Sequence, residues 1–107
     1  MSEEHLVVLI TAPAGAGEAE LAGALVRERL AACVNLLPAV RSFYRWEGAV
    51  HDDPEVLLVC KTTSARYPEL ERRVVELHPY DEPEVIALPV ERGAESYLRW
   101  VGEETRP

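Results

Sequence analysis

The feature that most restricts the fold is a pair of long extended segments joined at Glu47-Gly48. "AACVNLLPAVRSFYRW" (Ala31–Trp46) leads into "WEGAV", and "EVLLVCKTT" (Glu55–Thr63) carries the return. A Glu-Gly step between two such apolar runs reads as a hairpin turn. Strands of this length exceed what a sheet in a 107-residue chain requires, so their far ends are expected to project beyond it. Pro38 and Pro54 cannot donate ladder hydrogen bonds, which predicts a bulge or kink near each.

Around this hairpin the chain alternates strand and helix signals. "HLVVLIT" (His5–Thr11) is β-branched and apolar on both faces, as expected of a central strand. From Glu18 to Leu30 the period becomes helical, with Leu21, Ala22, Leu25 and Val26 on a broad arc. Ser64 is placed to cap a second helix, in which Tyr67, Leu70, Val74 and Leu77 recur at helical spacing. Pro68 is tolerated in its first turn, and Pro79 ends it at His78. "VIALPV" (Val85–Val90) is another buried strand, and Ala94–Glu104 a short final helix. The order β-α-β-β-α-β followed by a helix predicts one α+β domain over residues 1–107: a ferredoxin-like sandwich with an extended β-hairpin and a C-terminal helix. Helices then cover one face of the sheet. The strands are apolar on both faces, so self-association is expected to cover the other.

Charge narrows the function classes. The 11 basic and 19 acidic residues leave a net charge of −8, which disfavours nucleic-acid binding. "MSEEH" is acidic where a secretory signal needs positive charge, and the apolar run after it is too short to span a bilayer. A cytoplasmic protein, not bound to membrane, is expected. Cys33 and Cys60 lie in apolar runs without a CxxC, so both should stay reduced and pack as small hydrophobes. No phosphate loop, dinucleotide fingerprint or nucleophile motif is present, and no enzyme is expected.

Five stretches occur in order and at close spacing: "ERLAACVNLLP", "YRWEG", "LLVCKTT", "LHPYDEPEV" and "SYLRW". Through them nearly the whole chain resembles the CutA divalent-cation-tolerance family. The resemblance implies a ferredoxin-like fold and a homotrimer like those of the PII signalling proteins, with hairpins and edge strands joining at the subunit boundaries. It also implies a link to copper or other divalent cations. In some members a copper site is made by a first-strand cysteine and a His-His pair before Pro-Tyr. Here those positions hold Ile10 and Leu77, and His78 alone matches.

Two sets of residues could carry chemistry. For metals, His78 offers an imidazole for weak Cu(II) binding, and Cys33 a thiolate for Cu(I) or Hg(II). The plainer alternatives are a helix-end residue for His78 and a core residue for Cys33. For a small ligand or a partner protein at the subunit cleft, the candidates are Tyr44, Trp46, Lys61, Tyr80, Glu84 and Trp100. Tyr44 and Trp46 share a strand face, and Lys61, set in an apolar strand, is expected to reach Glu84. Aromatic packing and an ion pair at a trimer contact would use the same residues. "HDDPE" and "YDEPE" read as solvated acidic turns, since neither has the oxygen spacing of a calcium loop.

Overall fold

The structure, a computed structural model, describes residues 4–107. The first three residues of the acidic "MSEEH" stretch lie outside the described residues. The elements run β1 (His5–Pro13), α1 (Glu18–Arg27), β2 (Cys33–Trp46), β3 (Ala49–Thr63), α2 (Tyr67–Leu77), β4 (Val85–Pro89) and α3 (Glu95–Glu104). The sheet order is β2-β3-β1-β4, with every pairing antiparallel. This is the ferredoxin-like arrangement that the element order predicted.

Strand β1 is central because both of its faces are apolar. Leu6, Val8, Ile10 and Ala12 point into the core with Leu25, Leu58, Leu70 and Val74. Val7 and Leu9 point to the opposite face, where they meet Leu88 and Ile86 of β4 in register. That opposite face is bare over much of its area. Ile86 and Leu88 are each 50% exposed and Leu37 is 44% exposed. Helix α3 packs against β3 and β1, fastened by His5 Nε2 to the carbonyl oxygen of Leu98 at 2.7 Å.

The hairpin projects as expected. The β1–β3 ladder stops at Pro13↔Glu55, whereas β2 and β3 continue together to Trp46↔Ala49. The two turn residues, Glu47 and Gly48, have φ of 50° and 79°, the left-handed pair of a type I′ turn. The register shifts between Leu37 and Val40, where Ala39 takes φ 63° beside Pro38. Pro54 lies beyond the reach of β1, where a missing donor leaves no second ladder incomplete.

Two expected boundaries move. Helix α1 stops at Arg27, not Leu30, because Arg29 turns left-handed at φ 60° and the amides of Leu30 and Ala31 return to the Leu25 carbonyl. The Arg29 guanidinium spans the gap to α3, donating to the carbonyls of Arg106 and Glu103 at 2.6 and 2.9 Å. Ser64 does not cap α2. Its hydroxyl bonds Glu4 at 2.6 Å, and Arg66 takes the N-cap position.

Candidate functional site

Beyond the end of β1, the hairpin and the corner after α2 enclose a cleft of about 610 Å³. Ser42, Tyr44 and Trp46 reach it from alternate positions of β2, and Glu55 from β3. Pro79, Tyr80 and Glu84 close the other side.

The corner owes its shape to His78. Pro79 forces His78 out of the helix to ψ 141°. The Tyr80 amide donates to His78 Nδ1 at 3.0 Å, so the ring proton sits on Nε2, which donates to the Thr11 carbonyl at 2.7 Å. Only 7% of the residue is exposed. Both ring nitrogens are engaged in holding the corner, so a metal would have to displace the Tyr80 amide from Nδ1. This is the arrangement of the plainer alternative, a residue that holds the helix end.

Both tyrosines of the cleft wall donate to a carboxylate. The Tyr44 hydroxyl donates to Asp53 Oδ2 at 2.5 Å, and the ring stacks on His51, its cross-strand partner, at 5.1 Å. The Tyr80 hydroxyl donates to Glu55 Oε2 at 3.1 Å. The bond to Asp53 first, then desolvation and the nearby Asp53 charge, push the Tyr44 phenol up to about 12. Burial, and after it the Glu55 bond, raise Tyr80 as well. Glu84 accepts from the Thr11 hydroxyl at 3.4 Å.

Of the six cleft candidates, Tyr44, Trp46, Tyr80 and Glu84 converge, while Lys61 and Trp100 do not. The expected Lys61–Glu84 pair is not formed, because β1 stands between β3 and β4 and the two residues lie at opposite ends of the sheet. Lys61 sits between Val7 and Cys33 and donates to the Asn35 side-chain carbonyl. Trp100 pairs with Tyr97 on α3, ring centroids 5.6 Å apart. Cys33 is half-buried at the same end as Lys61, its Sγ 3.8 Å from Asn35 Oδ1. Burial pushes the Cys60 thiol up to about 12.

"HDDPE" is not a turn. Its residues belong to β3, and alternation sends Asp53 and Glu55 to the tyrosines while Asp52 binds Arg41 at 2.8 Å. The i, i+2 spacing of Asp53 and Glu55 was the signal for these site residues, readable only once the register opposite Tyr44 is known. Among the described residues no three His, Cys, Asp or Glu side chains are grouped as metal ligands. Ile10 faces the core and Leu77 is apolar, so the residues present do not fit the family's copper set.

A split βαβ sheet with a projecting hairpin and a cleft at its root defines a small ferredoxin-like protein with one face open. Residues 6–104 match the model of the CutA1 divalent ion tolerance protein family. The divalent-cation tolerance protein CutA of Thermus thermophilus is 52% identical over 99 residues, covering 92% of this chain and 96% of its own length. The chloroplastic protein CutA of Arabidopsis thaliana is 45% identical over 101 residues, covering 94% of this chain and 56% of its own, so the chain spans about half of that relative. The crystal structure of CutA1 from Oryza sativa superposes with a TM-score of 0.94 at 43% identity, covering 98% of this chain and 96% of that one. The chain belongs to the CutA1 divalent ion tolerance family.

Proposed function

We propose that this chain acts in divalent-cation tolerance as a cytoplasmic homotrimer without catalysing a reaction, and holds copper or other divalent ions only weakly. Family membership across residues 6–104 is the observation that carries the role in tolerance. The trimer is supported by the bare sheet face with Ile86 and Leu88 and by the two edges, β2 and β4, left with unpaired backbone. Two free cysteines suit a reducing compartment, although two plant relatives are named chloroplastic and one structural relative periplasmic. Among the described residues no helix is long and apolar enough to cross a membrane.

Weak metal binding follows from the commitments of His78 and from the scattered carboxylates. Titration calorimetry with Cu(II) on the trimer should show binding that saturates only well above the protein concentration. Tight, stoichiometric uptake would contradict it.

A second reading, a PII-like small-ligand module acting at the cleft, is favoured by the cleft itself. Its volume falls within the range of roughly 300–1,000 Å³ usual for small-molecule sites, and its walls are aromatic with a few directed polar groups.

A further inference from the structure

We infer that the cleft between the hairpin and the His78–Glu84 corner binds a small organic ammonium ion, with Glu55 as its charge partner and Tyr44 and Trp46 as its aromatic wall. The inference rests on the small-ligand reading of the cleft and names the ligand class.

Three observations converge on it. First, Glu55 is only 5% exposed, and its hydrogen-bond partner among the described residues is the neutral phenol of Tyr80. A carboxylate withdrawn from water without a cation is costly, and a bound cation supplies what is missing. Second, the cleft wall contains four carboxylates, from Glu55, Asp81, Glu82 and Glu84, and no lysine or arginine. The potential inside is negative, and an anionic ligand would be repelled. Third, aromatic side chains line the hairpin wall. Trp46, 46% exposed, and Tyr44 and Phe43 all border the cavity.

Those rings decide between kinds of cation. A small, strongly hydrated metal ion wants several oxygen ligands at short range, and among the described residues no group of three ligating side chains exists. Asp53 Oδ2 and Glu55 Oε2 also each accept a hydrogen bond from a phenol already. An alkylammonium is bulky and weakly hydrated, is attracted by ring faces, and needs only one carboxylate nearby. The volume of about 610 Å³ leaves ample room for such an ion with a short substituent.

The test is calorimetric titration of the intact protein with benzyltrimethylammonium, at constant ionic strength, beside benzyl alcohol and benzoate as neutral and anionic counterparts. In parallel, the Trp46 indole N–H resonance is followed, assigned by comparison with Trp100→Phe. The ammonium ion should bind with a Kd on the order of millimolar or tighter, shift the Trp46 resonance in a saturable way, and outcompete both counterparts. Glu55→Gln should weaken it about tenfold or more. Trp46→Leu, with its mass checked against that of the parent, should weaken it several-fold. Binding of benzoate or benzyl alcohol at Trp46 in preference to the ammonium ion would overturn the ligand class and leave the small-ligand reading standing. If none of the three moves the Trp46 resonance, both the class and that reading are overturned. Ammonium binding unaffected by both substitutions would overturn the site.

Discussion

His78 donates from Nε2 to the carbonyl oxygen of Thr11 at 2.7 Å, joining the end of α2 to the C-terminal end of the central strand. Its other nitrogen receives the Tyr80 amide, so a single ring satisfies two backbone groups and sets the wall of the cleft. His78→Ala leaves both groups without their partner, at about 1–3 kcal/mol for each that stays buried. The midpoint of denaturant unfolding, at fixed protein concentration, should fall accordingly. Cu(II) affinity should stay the same, and a large loss of Cu(II) affinity in a folded His78→Ala protein would show the ring to be a ligand after all.

Tyr44 should ionise late. Its phenol is raised to about 12 from an ordinary 10, chiefly by donating to Asp53. The folded value is the higher one, so the bond's contribution to stability is complete below pH 10. It is lost as the pH climbs from there to 12. The difference in tyrosinate absorbance between the parent and Tyr44→Phe should have its midpoint near 12, and Asp53→Asn should bring it down toward 10. A midpoint near 10 in the parent would mean that the Tyr44–Asp53 bond is not made in solution.

The hairpin turn carries a conformational load at a residue that gains nothing from it. Glu47 stands at φ 50°, a region costing an L-residue roughly 1–2 kcal/mol, which asparagine tolerates better. Glu47→Asn should raise the unfolding temperature, and Gly48→Ala, at φ 79°, should lower it. The opposite order in thermal unfolding would show that the turn is not of type I′.

Cys60 should be chemically silent in the folded protein. It is fully buried, and that burial lifts its thiol to about 12, leaving almost no thiolate at neutral pH. In a Cys33→Ser background, a thiol-specific chromogenic reagent at pH 8 should detect no reaction until denaturant is added, and then one thiol per chain. Prompt reaction without denaturant would place Cys60 outside the core.

Much of this architecture is legible from residue pattern. The Glu47-Gly48 turn, the Pro38 bulge and the projecting hairpin follow from where glycine and proline fall in otherwise apolar runs. Helix ends were harder. Arg29 ends α1 in a left-handed conformation that arginine does not advertise, held by carbonyls from the far end of the chain. The site was legible in half. Tyr44 and Trp46 share a face by simple alternation, and Pro79 marks the corner. Asp53 and Glu55 were hidden because "HDDPE" has the composition of a turn, and only pairing with β2 makes it strand. Lys61 and Glu84 were joined on the expectation that their strands lie near each other in the sheet. The actual order puts β1 between them, and strand order is a property of the whole sheet that no local stretch encodes.

We propose that copies of the same chain complete the bare face of the sheet. Sedimentation equilibrium at micromolar concentration measures this directly. The parent protein should have three times the mass of a single chain. Leu88→Asp, which sets a charge among Val7, Leu9 and Ile86, should lower that mass and the thermal stability together. A parent protein that sediments as a well-folded monomer would contradict the account.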